Sequence, residues 1–204
     1  MTTDTRVAEE LVAAFPEPAP ETLGRLHDEL VRRSDRVGLL DVAYRTVDSP
    51  LGTLLLAATP AGLLRVAFAD EGHDDVLARL AVDVSPRILH GGRRLDGAAR
   101  QLGDYFAGRR HAFDLDVDLQ LAHGFRRDVL VQLRAIPYGA TASYAAVARA
   151  AGRPTAVRAV GTACANNPVP LVVPCHRVVR SDGAIGQYRG GVAAKRTLLD
   201  LEAT

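Results

Sequence analysis

The chain has 204 residues, of which 48% are apolar and 24% charged, with a formal net charge of +1. That size and balance suit one large or two small globular units with ample core, and the chain has no run of about 18 apolar residues to suggest a membrane span. Two cysteines, Cys164 and Cys175, exclude a disulfide framework, and no metal-type cysteine pair is present. The start, Met1-Thr2-Thr3-Asp4, lacks a basic and then apolar leader, so a cytoplasmic protein is expected. A reducing compartment also suits a working thiol.

The small net charge hides two unlike halves. Residues 1–122 carry 14 basic and 20 acidic side chains, a balance of −6, whereas residues 123–204 carry 11 and 4, a balance of +7. A basic half suggests a polyanion partner, although a solvated basic surface reads the same way. Lys195 is the one lysine; the other cations are arginine.

Residues 5–14 and 20–34 read as helices separated by Pro16, Pro18 and Pro20, with Leu23, Leu26 and Leu30 on one face. Residues 1–40 form a helical extension of open role, with packing onto the rest as the default expectation. From Asp41 the pattern turns to strands. Val42–Val47, Thr53–Ala58 and Leu63–Ala69 are separated by the turns Ser49-Pro50-Leu51-Gly52 and Thr59-Pro60-Ala61-Gly62. Helices are expected over Asp74–Val82 and Asp96–Ala107, the second with Leu95, Ala99, Leu102 and Phe106 on one face. Residues 41–110 thus form a small antiparallel sheet with helices, and residues 111–122 a strand-like linker.

Residues 123–204 are mainly helical. A helix over Phe125–Ile136 places Phe125, Val129, Leu130 and Leu133 on one face and ends at Pro137-Tyr138-Gly139. Ser143 caps a helix over Tyr144–Ala151, Gly152-Arg153-Pro154 turns the chain, and Thr155 caps a second helix over Ala156–Ala165. Helix, short glycine-containing turn, helix is a helix-turn-helix pattern. The second helix is built mostly of small residues, which suit either tight core packing or close approach to another surface. The fold class is α+β: a small N-terminal antiparallel sheet domain with helices, then a mainly α-helical C-terminal domain with a helix-turn-helix.

The stretch from Asn167 to Arg180 concentrates the chemistry. Pro168, Pro170 and Pro174 precede Cys175, and Leu171-Val172-Val173 leads into it, so a stiff, buried, extended segment presenting a thiol is expected. Ser181-Asp182-Gly183 is a turn, and Gly186-Gln187-Tyr188-Arg189-Gly190-Gly191 is a loop whose glycines permit close approach to a ligand. A final helix carries Glu202. Cysteine, histidine and a distant carboxylate are the parts of a proton relay serving a thiolate nucleophile.

These residues carry a resemblance. Asn167-Pro168-Val169-Pro170 before Pro174-Cys175-His176-Arg177-Val178-Val179, with the following Tyr188-Arg189-Gly190-Gly191 loop and Leu198-Leu199-Asp200-Leu201-Glu202, resembles the O6-alkylguanine-DNA alkyltransferases. The resemblance is strong over 123–204, fair over 41–122 and absent over 1–40. It implies DNA repair by irreversible, single-turnover transfer of an alkyl group from O6-alkylguanine, with O4-alkylthymine as a further substrate. It implies double-stranded DNA bound through the minor groove with the target base flipped out, a monomer, and no metal or organic cofactor. The structural zinc that some members hold in the N-terminal domain is not expected, because residues 41–122 contain no cysteine.

The same resemblance assigns roles. Cys175 is the acceptor, His176 takes its proton through a water, and Glu202 holds His176. Asn167 orders the cysteine segment, and the Tyr144 hydroxyl donates to the guanine ring and helps the nucleotide rotate. Arg158 is a finger that fills the vacated stack, on a DNA-facing surface with Thr155, Ala159 and Gly161. Pro170, Val178, Tyr188, Arg189 and Gly190 line the base pocket: Pro170 as an apolar wall, Val178 and Arg189 through their main chain, and Tyr188 with its neighbours as the closing loop. Three positions depart from the family pattern: Leu130 where tryptophan is frequent, Thr162 where glycine or alanine is frequent, and Arg189 where a small residue is usual. The bulk of Arg189 is expected to narrow the pocket or reach a phosphate. Two other readings compete: a lesion-binding protein without transfer activity, and an unrelated cysteine hydrolase using Cys175, His176 and Glu202.

Overall fold

The computed structural model describes residues 19–203, so the helix expected over residues 5–14 lies outside the described residues. The first described element is α1 (Pro20–Arg36), with proline in its first turn. Its leucine stripe does not pack inward: Leu23, Leu26 and Leu30 are each about half exposed, and Val31 is the buried residue of the helix. Polar contacts hold α1 in place instead, including His27 Nε2 with the His90 carbonyl at 2.7 Å and an ion pair between Asp35 and Arg94.

The strands β1 (Val42–Val47), β2 (Leu54–Thr59) and β3 (Gly62–Ala67) form the expected antiparallel meander. A fourth strand, β4 (Ile88–His90), pairs parallel to β1 and makes the sheet mixed, in the order β3-β2-β1-β4. Three residues are too few to show a period-2 pattern, so β4 carries no sequence signal of its own. Every residue of β2 is buried, because both faces of the sheet are covered. Leu55, Ala57 and Leu64 meet Val76 and Leu80 of α2 (His73–Asp83), while Leu54, Leu56 and Val66 face the large core shared with the C-terminal half.

The helix α3 (Asp96–Phe106) buries Ala98, Gln101, Leu102 and Tyr105. Its inward face is therefore rotated from the expected one: Ala99 and Phe106 are only partly covered, and Tyr105 is fully buried. The 111–122 segment runs along the sheet edge, where Leu63 donates to Asp116 and Asp118 donates back to Leu63.

The helical half contains α4 (Gly124–Leu133), β5 (Ala142–Ser143), α5 (Tyr144–Ala150), α6 (Val157–Ala165), β6 (Val178–Val179) and α7 (Gly191–Glu202). Val129, Leu130 and Leu133 of α4 are fully buried, so Leu130 is a packing residue. Phe125 is only half-buried, with the Arg153 guanidinium 5.2 Å from its ring centre. Ser143 caps α5 by accepting from the Ala146 amide at 3.1 Å. Thr155 does not cap α6. The Ala156 amide closes a turn onto the Arg153 carbonyl at 2.9 Å, which puts Thr155 inside the turn and Ala156 at the cap position.

The segment before the cysteine is also not extended. Val173 N donates to Val169 O at 2.9 Å, closing a compact turn whose residues are buried throughout. Leu171 sits at its centre with φ of 74°, the one non-glycine positive φ among the described residues, and is fully buried. Left-handed backbone costs an L-residue roughly 1–2 kcal/mol. Burial of the leucine side chain, worth roughly 1.5–3 kcal/mol, offsets it. Because glycine adopts this backbone freely, Leu171→Gly is expected to be more stable than Leu171→Ala by about 1 kcal/mol, reversing the usual order. Urea unfolding of the two variants checks this; an alanine variant of equal or greater stability would mean that the turn carries no strain.

Candidate active site

Local structure brings the site together in three steps. First, β5 and β6 pair in parallel, Ala142 with Val178 and Ser143 with Val179. Tyr144 directly follows β5, and the 3-10 turn Cys175–Arg177 directly precedes β6, so this short ladder sets the tyrosine beside the cysteine turn. Second, the sheet braces that turn from behind: the Val66 amide donates to the Pro168 carbonyl at 2.9 Å. Third, α7 carries Glu202 beneath the cysteine turn.

Cys175 is 2% exposed. Asn167, fully buried, donates through Nδ2 to Cys175 Sγ at 3.2 Å and to the Val173 carbonyl at 2.8 Å, while its Oδ1 accepts from Val169 N at 3.0 Å. Asn167 is thus bonded on both sides of the turn and to the sulfur itself. Burial pushes the Cys175 thiol up to about 11, against the opposing pull of the Asn167 donor and the Lys195 charge. The resting group is a protonated thiol.

Glu202 is the hub of the site. Glu202 is 4% exposed, and its carboxylate accepts from His176 Nε2 at 2.9 Å, from Arg177 Nε and Nη2 at 2.8 and 2.9 Å, and from Tyr105 Oη at 2.6 Å. Burial alone would raise its pKa, but hydrogen bonds from His176, Arg177 and Tyr105 outweigh that and hold it at about 2. Burial depresses the pKa of His176 despite the carboxylate, so the ring is neutral. A carboxylate only accepts, so the Nε2 facing it carries the proton and Nδ1 has the free lone pair. Among the described residues Nδ1 is buried without a hydrogen-bond partner, and so is Tyr188 Oη.

Three participants have no counterpart among the expected site residues. Arg177 supplies the balancing cation and also donates to the Ile136 carbonyl at 2.5 Å. Tyr105 comes from α3, in the other half of the chain. Lys195 is fully buried, and its Nζ donates to the Val178 carbonyl at 2.6 Å. Burial lowers its pKa, and its charge favours the Cys175 thiolate. The available sequence signals were weak: an arginine next to the Cys-His pair, a lone lysine among arginines, and a tyrosine one place from the expected helix face.

The remaining predicted residues fall on two surfaces. Tyr144 is half-buried, and an added Cβ on Gly186 would collide with its hydroxyl, so that loop glycine is needed for the close approach. Tyr188 packs edge-on to His176 with ring centres 6.2 Å apart. Pro170 and Val178 are buried beside the cysteine turn, and Gly190 abuts Phe68. Arg189 differs from expectation: its side chain does not fill the pocket itself but turns to Glu71 and the Ala165 carbonyl. On α6, Val160, Ala163 and Cys164 face the core. Arg158 and Ala159 are exposed with Thr155 and Thr162, and Gly161 is partly exposed. The Thr162 hydroxyl bonds back to the Arg158 carbonyl at 3.3 Å, and the Arg158 side chain makes no ion pair among the described residues. Arg158 is thus an exposed cation on a small-residue helix face.

Residues 42–119 match the ribonuclease-like domain of 6-O-methylguanine DNA methyltransferase, and residues 124–204 match its DNA-binding domain. A methylated-DNA–protein-cysteine methyltransferase of Mycolicibacterium paratuberculosis is 42% identical over 79% of this chain and 92% of its own. The structure of Mycobacterium tuberculosis O6-methylguanine methyltransferase superposes with a TM-score of 0.70 at 38% identity, covering 79% of this chain and 93% of that one. A crystal structure of Mycobacterium tuberculosis OGT in complex with DNA gives 0.69 at 37%, covering 79% and 92%. Regulatory protein ada of Salmonella typhimurium is 35% identical over 94% of this chain and 55% of its own.

Two outcomes follow from the site geometry. Glu202→Ala should destabilise the protein by roughly 3–5 kcal/mol, because Arg177 is left buried without its partner. The folded pKa lies below the ordinary 4.5, so the stabilisation from Glu202 is complete above that pH and is lost as pH falls toward about 2. Thermal unfolding of the protein and of Glu202→Gln through this window should show their difference shrinking with acid. Separately, iodoacetamide labelling of Cys175, followed by peptide mass spectrometry, should be slow at neutral pH and rise toward pH of about 11. Asn167→Ala, lacking the donor to sulfur, should move the inflection higher.

Proposed function

The chain belongs to the 6-O-methylguanine DNA methyltransferase family, and on that premise we propose the steps by which it acts. It is a methylated-DNA–protein-cysteine methyltransferase that binds DNA and repairs it by alkyl transfer. The observation that carries the mechanism is the sulfur of Cys175 held by Asn167 at 3.2 Å, next to a neutral His176 anchored on Glu202 at 2.9 Å.

In the proposed reaction the thiol proton passes through a water to His176 Nδ1, and the imidazolium that forms is stabilised by Glu202. The thiolate attacks the alkyl carbon, a C–S bond forms and the C–O6 bond breaks with its electron pair leaving on the guanine. The Tyr144 hydroxyl gives a proton to the leaving base, and the proton held on His176 returns through water to the tyrosine, so that both side chains end neutral. One proton leaves sulfur and one reaches guanine, so the net reaction needs no external acid, base or cofactor. The product is a thioether, which a thiol such as the buried Cys164 does not cleave, so each molecule acts once.

The substrate is O6-alkylguanine in duplex DNA, with O4-alkylthymine as a second base whose exocyclic oxygen carries the alkyl group in the same way. A stacked base cannot deliver its alkyl carbon to a buried sulfur, so the nucleotide is flipped, at a cost of a few kcal/mol that is smaller for a poorly paired lesion. The exposed small face of α6 supports minor-groove docking, with Thr155, Ala159 and Gly161 allowing close approach and Arg158 entering the stack. An arginine suits that place because its planar cation stacks and hydrogen-bonds together. Tyr188 and the backbone of Val178, Arg189 and Gly190 close on the base, with Pro170 as an apolar wall. The protein acts as a monomer in the reducing cytoplasm.

Incubation with an O6-methylguanine duplex, followed by intact and peptide mass spectrometry, should find one methyl on the Cys175 peptide and stoichiometric demethylation. Binding without an adduct would make the protein a lesion sensor instead. Cys175→Ser should bind the lesion and transfer nothing. Arg158→Ala should slow repair of duplex DNA by roughly 10-fold or more while sparing reaction with free O6-benzylguanine; equal loss on both would remove the flipping role.

A further inference from the structure

The Arg189 side chain leaves the active-site loop and reaches the other half of the protein. Nε donates to Glu71 Oε2 at 2.5 Å, and Nη1 donates to the carbonyl of Ala165, the last residue of α6, at 3.1 Å. A cation on the final carbonyls of a helix is favourable in its own right. Glu71 lies in the short 3-10 turn Ala69–Glu71 after β3. Its Oε1 accepts from the Phe68 amide at 2.9 Å, and Arg65 of β3 also donates to the carboxylate. The Glu71 and Arg65 side chains are 9% exposed and that of Arg189 is 27% exposed, so this cluster is largely shielded from solvent.

The same carboxylate thereby fixes both sides of the loop that carries Tyr188. It holds Arg189 directly, and it holds the Phe68 backbone. The Phe68 ring packs edge-on to Tyr188 with centres 5.7 Å apart, and a Cβ on Gly190 would sit 2.8 Å from that ring. At its far end the loop is pinned where Gly186 meets Tyr144. Between these anchors Cys175 is 2% exposed, so no alkyl group reaches sulfur unless something nearby moves.

We propose that Glu71 is a positioning residue for the transfer: through Arg189 it latches the Tyr188 loop to the sheet domain, and so sets how large an alkyl group gains access to Cys175. Methyl needs little displacement. A benzyl-sized group requires the loop to lift, which breaks the Arg189–Glu71 ion pair and the Arg189–Ala165 bond together. The latch also ties the end of the exposed helix α6 to the loop, so a shift of that helix on DNA bears on the loop directly.

This proposal rests on the alkyl-transfer reading above, and its test separates the two. Single-turnover rates are measured for O6-methylguanine and O6-benzylguanine placed in the same duplex, using the full chain and its Glu71→Gln, Arg189→Ser and Arg189→Lys variants. Glu71→Gln and Arg189→Ser are each expected to raise the benzyl-to-methyl rate ratio about tenfold, since releasing one loop contact relaxes a size limit of that order. Arg189→Lys, which keeps a cation for Glu71, is expected to restore most of the original ratio. A ratio within about twofold of the original in both Glu71→Gln and Arg189→Ser overturns the latch, including when both rates fall in parallel as a general loss of structure would make them. If the unaltered chain fails to transfer methyl at all, the alkyl-transfer reading itself fails.

Discussion

One buried carboxylate organises this protein. Glu202 receives hydrogen bonds from His176, from Nε and Nη2 of the Arg177 guanidinium and from Tyr105, and its Oε2 also lies 3.4 Å from the Gly139 amide. A buried charge is tolerated only when paired and fully hydrogen-bonded, so each of these groups has a fixed place. They come from the cysteine turn, the sheet domain and the loop after α4. The last helix therefore acts as a bolt through the two halves, and the charge that secures the fold also orients the imidazole.

That arrangement explains the resting state of the site. Arg177 neutralises Glu202, so the histidine need not be charged, and burial keeps it neutral. The Cys175 thiol, buried and therefore hard to ionise, is flanked by the Asn167 amide and the Lys195 ammonium. The site holds the stabilisers of a thiolate in place before the thiolate exists. That is electrostatic preorganisation, with donors aimed where charge will develop and little rearrangement needed when it does.

The sheet domain provides no nucleophile, yet it is part of the site. Val66 and Arg65 of β3 both donate to the Pro168 carbonyl, Tyr105 reaches Glu202, and Glu71 holds Arg189. The acidic excess of the first half is therefore not only a solvated surface, since one of its carboxylates, Glu71, anchors a cation of the basic half. The strained Leu171 turn is held from this side as well, with its neighbouring carbonyl tied to the sheet.

Much of this was legible in the sequence wherever the determinant is local. Ser143 announces the start of α5, the short runs after Asp41 separated by the Ser49–Gly52 and Thr59–Gly62 turns announce the meander, and the order Asn167, Cys175, His176, Glu202 announces the chemical parts. These depend on turn chemistry, periodicity and residue type, all of which act within a few positions. The boundary of α6 was missed by one residue because a turn bond from Ala156 to Arg153 overrode the capping tendency of Thr155. Only the tertiary structure decided what lies far apart in the chain. It selected Tyr105 over its neighbours on α3 by giving its hydroxyl a partner 97 residues away, and it drew Arg189 from the pocket to a carboxylate 118 residues away. It buried Lys195, turned the proline-rich lead to the cysteine into a tight bend, and added β4 to the sheet. The sequence by itself determined which reactive groups the chain carries and in what order they come. The burial and pairing that set their protonation, and the contacts that hold the two halves in register, arise from packing between distant segments, which no local pattern encodes.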